Sequence, residues 1–385
     1  MTEGIEFEVE EERSDSDVFI PDHVLDAAQA NADILLSKLD PADPTALALS
    51  DLKNNAAVQG WRETMCANPS ALTTLLENTQ KYTLPKTFMS YSQVNLFKIC
   101  GERYRRSYVE NQPRGSSSNM AHGKMIHSVV EDLNRIKMRG EDAEWYAALA
   151  AGKQPVAALD TANDLISSYM GSATAGVETW DPKVPDTKVF EDSARQMVSL
   201  YVKERLPLTL PKALEVRVID WINGTVPFQG YIDMVEHNIM AFVDEEGEIP
   251  SIIDLASAQT TVFNAADKVV DLKNTGKVYG ETRVVNSLQL SIYSMITGVE
   301  RVAYDLLVQT KTPKFVHQEA WRTPTELEHA ADVVEDVARS ISAGIFPRTD
   351  PESWVCNAKW CEYYSDCRER RRGKQITTIS EVVDG

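Results

Sequence analysis

The chain has 385 residues, 43% hydrophobic and 25% charged, which is apolar material enough for a substantial core or for two or three domains of ordinary size. Thirty-nine basic residues face 58 acidic ones, and the formal net charge of −19 argues against a surface that binds nucleic acid over its whole extent. No apolar run approaches the roughly 18 residues of a membrane span, and the acidic start has no apolar stretch of the kind a secretory signal needs, so a soluble cytoplasmic protein is expected.

In chain order, residues 1–22 carry nine acids against the single base Arg13, which accounts for −8 of the net charge and reads as a disordered acidic tail. Residues 23–85 read as a helical extension, with Asn68 before Pro69 as one helix start. Ser90 and Gln93 have capping-box spacing and open a helix expected to run to Val109, carrying Cys100 and the basic residues Arg103, Arg105 and Arg106. After a loop at 112–119, a helix from Gly123 to Met138 sets His127 and Glu131 on one face. From Ala213 the composition turns to β-branched and aromatic residues. Segments 213–222 and 226–236 flank Asn223-Gly224, a hairpin turn, and residues 267–273 read as a buried strand. A helix over 283–297, strands near 301–309 and 314–321, and a helix from Pro324 to Gly344 complete the pattern, an α/β or α+β arrangement.

The chemistry is carried by acids at strand ends. In Asp271-Leu272-Lys273 the carboxylate and the ammonium point to one side of a strand and Leu272 to the other. Gly230-Tyr231-Ile232-Asp233 supplies a second acid, and two carboxylates with water suit Mg²⁺ or Mn²⁺. His127 offers a nitrogen ligand. Gln289 and Tyr293 lie four apart on a helix soon after the Lys273 strand. Glu215, on the preceding strand, reads best as a solvated acid.

This order of motifs resembles the RecB-like exonuclease branch of the PD-(D/E)xK nuclease superfamily, as found in AddB-type subunits and the CRISPR-adaptation exonucleases. The resemblance runs from about Ser90 to Cys367. It implies a restriction-endonuclease-like core, a mixed central sheet flanked by helices, behind a helical N-terminal region. The nuclease domain would span 86–367, with a helical part at 86–210, the catalytic sheet at 211–323, a C-terminal helix and cysteine cluster at 324–367, and a basic tail at 368–385. It further implies that His127, Asp233, Asp271 and the Leu272 carbonyl hold Mg²⁺ or Mn²⁺, that Lys273 orients water or stabilises charge, and that Gln289 and Tyr293 position the strand and contact DNA. Glu131 would support His127. The chain departs from the family in the step of 38 positions from Asp233 to Asp271, an interval holding the acidic stretch Asp244-Glu245-Glu246 and a rival acid, Asp254. Asp254 lacks a following lysine, so Asp271 is preferred.

Five cysteines in a chain without a secretion signal do not suggest a disulfide framework. Cys356, Cys361 and Cys367 cluster, and with Cys100 they could hold zinc or an iron–sulfur cluster. The resemblance implies a [4Fe–4S] cluster clasping the two ends of the domain, although the four residues between Cys356 and Cys361 exceed the usual spacing and leave zinc open. A clasp would gather Arg103, Arg105, Arg106, Arg370 and Arg371 to grip phosphates, with Tyr104 and Tyr108 to stack on bases. The implied activity is hydrolysis from the ends of linear DNA, single-stranded or processed, in recombination, repair or phage DNA processing. A single-strand annealing or helicase protein is the implied partner. An endonuclease of the same superfamily and a non-catalytic DNA-binding subunit are the alternatives.

Overall fold

The computed structural model describes residues 18–39, 44–76, 80–142, 144–145, 148, 153–182, 184–237 and 263–369. Residues 1–17, the interval holding Asp244, Glu245, Glu246 and Asp254, and the tail with Arg370 and Arg371 lie outside them.

Four helices come first: α1 (Asp22–Leu36), α2 (Pro44–Gln59), α3 (Trp61–Ala67) and α4 (Pro69–Leu76). They are preceded by a short strand, β1 (Val18–Phe19), so the stretch assigned to an acidic tail already belongs to the fold at its last five residues. Val18, Ile20, Leu72 and Leu75 pack with Ile219 and Trp221 of the sheet.

The remaining strands are β2 (Pro211–Ile222), β3 (Val226–Glu236), β4 (Lys268–Thr275), β5 (Arg301–Val308) and β6 (Lys314–Trp321), and the sheet order is the chain order. β1 is parallel to β2 and β4 to β5; the other neighbours are antiparallel. The expected hairpin is present. Asn223 and Gly224 take φ of 51° and 64°, the left-handed region that an Asn-Gly turn tolerates, and Ile222 pairs with Val226.

One face of the sheet is covered by α7 (Ser118–Met138), α8 (Val156–Ala175) and α9 (Thr187–Glu204), which bury Ile126, Val129, Phe190 and Met197 against Leu272 and Leu307. The other face meets α5 (Tyr91–Ile99), α11 (Leu288–Thr297) and α12 (Pro324–Ser342) through Val216, Phe228, Ile232, Val302 and Leu306. α12 begins at a full capping box between Thr323 and Glu326, and its buried residues Ala330, Ala331, Val334, Val337, Ala338 and Ile341 recur at helical spacing. At the foot of α9, Arg205 reaches Glu236 of β3 at 2.8 Å and Asp305 of β5 at 2.6 Å, a buried bridge that pins this helix to both strands.

Two expected helices are divided. The helix from Ser90 stops at Ile99; Cys100 is extended, and α6 (Gly101–Tyr104) and a π-turn over Arg105–Val109 follow. The cause is tertiary. The Gly101 N–H donates to the Pro347 carbonyl at 2.7 Å, and a Cβ at Gly101 would lie 2.6 Å from the Pro347 nitrogen, so the C-terminal segment passes where a continuous helix would have a side chain. The helix expected over 283–297 splits into α10 (Glu281–Val285) and α11, whose N-terminus the Ser287 hydroxyl caps.

Candidate active site

Glu215 and Asp233 each lie nine positions from Gly224, so the hairpin sets them opposite one another, between the pairs Leu214–Met234 and Val216–Ile232. Side-chain alternation breaks at this rung. Ala213 and Val235 belong to the core beneath α11 and α12, Leu214 and Met234 pack together with Met138 of α7, and Val216 and Ile232 return to the α11–α12 core. A φ of 48° at Glu215 carries the switch. That conformation costs a residue with a side chain about 1–3 kcal/mol and persists where the surroundings enforce it, commonly at functional sites.

The β3–β4 ladder ends beside this irregularity. Its pairs are Glu236–Lys268, Val235–Val269 and Met234–Val270, so Asp233 and Asp271 stand one step past the last bonded pair. There the Asp233 carboxylate replaces a backbone acceptor and takes the Leu272 N–H at 2.7 Å. From α7, His127 brings Nδ1 to 3.5 Å from Asp233 Oδ2. Among the described residues, His127, Glu215 and Asp233 are the group that offers three ligand atoms within 4.8 Å of one another. Glu215 is thus half-buried at the site rather than the solvated acid its sequence suggests, and its equal distance from the turn is the signal in the sequence that places it. Glu131, expected to support His127, lines one cavity with it and accepts from Arg135 at 2.7 Å.

Asp271 is 2% exposed. Lys273 Nζ lies 2.5 Å from its Oδ2 as an ion pair, yet that buried oxygen accepts no well-aligned hydrogen bond. Burial pushes the Asp271 carboxyl up to about 6; Lys273 opposes the rise and Asp233 adds to it. Burial works against the Lys273 charge, but Asp271 and Asp233 outweigh it and hold the ammonium above its usual range. Burial would likewise neutralise Asp233, and is outweighed by His127, Lys273 and the Leu272 N–H, so its carboxyl stays low. For His127 burial is outweighed by Asp233, and the imidazole is held up.

Gln289 and Tyr293 line the buried side. The Gln289 amide reaches the Tyr293 hydroxyl at 3.4 Å, and both residues are buried. A Cβ on Gly230 would lie 2.7 Å from a Tyr293 ring carbon, which is why a glycine stands three positions before Asp233. Tyr304, whose ring centroid is 6.0 Å from Lys273 Nζ, and Tyr91, whose ionisation responds to Lys273 and Asp271, complete the surroundings.

An imidazole and two carboxylates within ligand distance of one another fit a hard divalent cation. A second constellation lies at the joined ends of the domain. Cys100, Cys356, Cys361 and Cys367 line one cavity with Arg103, Arg106 and Arg368, none of the cysteines is in a disulfide, and Arg368 Nε donates to Cys356 Sγ at 3.4 Å.

The basic residues expected to grip DNA here are engaged otherwise. Arg103 pairs with Glu362 at 2.6 Å, Arg106 with Glu102 at 3.1 Å, and Arg105 with both Glu102 and Glu110. Arg105 above all, helped by Arg106 against the effect of burial, holds the Glu102 carboxyl down at about 2. Tyr104 is fully buried against Phe97, so it is not available to stack on a base. Tyr108 packs against Tyr104 at 5.1 Å, with Arg114 over its ring.

A family model described as the PD-(D/E)XK nuclease superfamily matches residues 89–368, a span that contains both constellations. No curated protein matches the chain. Similar solved structures include one from Eubacterium rectale described as a "Putative exonuclease", with 11% sequence identity and a TM-score of 0.42 over 77% of this chain and 93% of that one. No helix among the described residues is long and apolar enough to cross a membrane.

Proposed function

The chain belongs to the PD-(D/E)XK nuclease superfamily, and on that premise we propose that it is a Mg²⁺- or Mn²⁺-dependent DNA exonuclease of the RecB-like branch, hydrolysing phosphodiester bonds from the ends of linear DNA. The observation that carries the reading is the convergence of His127, Glu215 and Asp233 beside the Asp271–Lys273 pair, where β3 and β4 part. The exonuclease assignment rests on the motif order, His127, Asp233, Asp271-x-Lys273, Gln289-x-x-x-Tyr293.

His127, Glu215 and Asp233, with Asp271 and the Leu272 carbonyl beside them, would hold the cation. When bound, it supplies Lewis acidity that polarises the phosphate and lowers the pKa of a water. The protein's own part is positioning and charge. The Leu272 N–H fixes the Asp233 carboxylate, Tyr293 and Gln289 brace the strands from behind, and Lys273 keeps its proton and presents a fixed positive charge to the phosphate as negative charge builds. Replacing Lys273 with alanine should lower the cleavage rate roughly a hundredfold or more. The test uses end-labelled linear DNA and closed circular DNA, with Mg²⁺, Mn²⁺ or EDTA. Metal-dependent loss of the linear substrate alone, abolished in Lys273→Ala, supports the exonuclease. Cutting of the circle makes the protein an endonuclease, and binding without cleavage under any metal makes it a non-catalytic subunit.

The four cysteines are proposed to hold a [4Fe–4S] cluster that clasps Cys100 to the C-terminal segment. Iron and acid-labile sulfide in anaerobically purified protein would support the cluster; stoichiometric zinc in their place would overturn it.

A further inference from the structure

Arg283 and Arg114 stand apart from the other described arginines, and Arg283 is the one connected through ring contacts to Lys273. Every other described arginine except Arg114 has a hydrogen-bonding or ion-pair partner for its guanidinium. Arg283 has neither among the described residues. It is exposed, and its guanidinium carbon sits 3.7 Å from the Tyr279 ring centroid, within van der Waals contact of the aromatic face. That platform is fixed. The Tyr279 carbonyl accepts the Gln318 amide at 2.9 Å, and its ring meets Tyr304 edge-on at 5.6 Å. The Tyr304 hydroxyl in turn bonds Ser287 at 2.6 Å, and its ring lies 6.0 Å from Lys273 Nζ. A chain of cation and ring contacts thus runs from Lys273 through Tyr304 and Tyr279 to Arg283 at the surface. The charges of Lys273 and Arg283 both reach Tyr91, so the two cations share one neighbourhood.

The chemistry of such a group is specific. Stacking holds a guanidinium in one plane and leaves its N–H edges free, so little side-chain entropy is lost when an acceptor with two oxygens at the fork spacing arrives. A phosphodiester is that acceptor, and in a chain of net charge −19 with carboxylates at its centre, a cation without a protein anion offsets part of the repulsion the substrate meets. Resting on the nuclease reading above, we propose that Arg283, stacked on Tyr279, is a positioning residue that grips a phosphate of the substrate strand adjoining the one attacked at Lys273.

The test is binding of a fluorescent single-stranded oligonucleotide, with Ca²⁺ in place of Mg²⁺, across a salt series, for the wild type, Arg283→Ala, Arg283→Lys and Tyr279→Leu. Loss of a charge-assisted contact should weaken binding about tenfold to a hundredfold in Arg283→Ala and reduce the slope of log affinity against log salt by about one. Arg283→Lys should keep the slope and recover only part of the affinity; Tyr279→Leu should weaken binding with the charge intact. With cleavable substrate, Arg283→Ala should raise KM more than it lowers kcat. An Arg283→Ala protein that binds with affinity within about twofold of wild type and an unchanged slope would overturn the proposal, whatever its cleavage. If the wild type binds DNA through Arg283 but cuts none, the grip stands and the nuclease reading falls. If the wild type binds no DNA, both fall.

Discussion

Glu215 shows at the scale of one residue what the site demands of the chain. Its left-handed φ of 48° is sterically unfavourable for a residue with a side chain. Glycine would relieve that strain at the cost of a more flexible unfolded chain, so Glu215→Gly should change stability by no more than about 1 kcal/mol while losing metal-dependent cleavage. Denaturant melts and cleavage assays on the same protein check this, with Glu215→Gln, which keeps the backbone strain, as the comparison. His122 gives a second prediction at this scale. It is buried, its Nδ1 lies 2.8 Å from the Asn274 amide just beyond Lys273, and burial holds its imidazole down at about 4. The folded pKa lies below the unfolded one of about 6.5, so the unfolded chain binds more protons between these values. The contribution is therefore complete above about pH 6.5 and is lost as pH falls toward 4, by roughly 3 kcal/mol in all. Stability measured against pH should fall less steeply across that window in His122→Gln.

Among the elements, the interrupted helix at Cys100 bears most on function. Ser90 caps it as expected, at 3.4 Å from the Gln93 N–H, but the Gln93 side chain turns to the Phe88 carbonyl instead of closing the capping box. The break at Cys100 lets the segment at Phe346 and Pro347 cross behind it, and Gly101 is the residue that permits the crossing. A methyl group there meets backbone atoms, so Gly101→Ala should destabilise the protein by about 1–3 kcal/mol. If the cysteines hold iron as proposed, it should also lower the iron content, read by metal analysis of the purified protein; a variant with full iron and unchanged melting would show that the crossing tolerates a side chain.

On the scale of the molecule, the N-terminal helices are joined to the central sheet through β1. Val18, Phe19 and Ile20 are buried, with Val18 paired to Arg217 and Phe19 to Val218. A truncation that begins the chain at residue 23 removes all three and should cost on the order of 5 kcal/mol, read as a lowered melting midpoint relative to a chain that begins at residue 18. The family match begins at residue 89, so this joint ties a segment outside the matched span to the strand that carries Glu215.

What the sequence by itself determined was local and periodic. Turn chemistry at Asn223-Gly224, strand alternation through Asp271 and Lys273, and the four-residue spacing of Gln289 and Tyr293 all act over a few positions, and each is where it was expected. The tertiary structure decided everything that depends on which elements meet. Register and a strained φ brought Glu215 to Asp233, and carboxylates from distant or neighbouring turns neutralised Arg103, Arg105 and Arg106. Burial removed Tyr104 from any surface role and left Arg283 on Tyr279 instead. The physical reason is one of range. Propensity and periodicity are properties of neighbouring residues, whereas burial, ion pairing and ligand convergence depend on distances that exist only after the sheet has paired and the helices have packed on it.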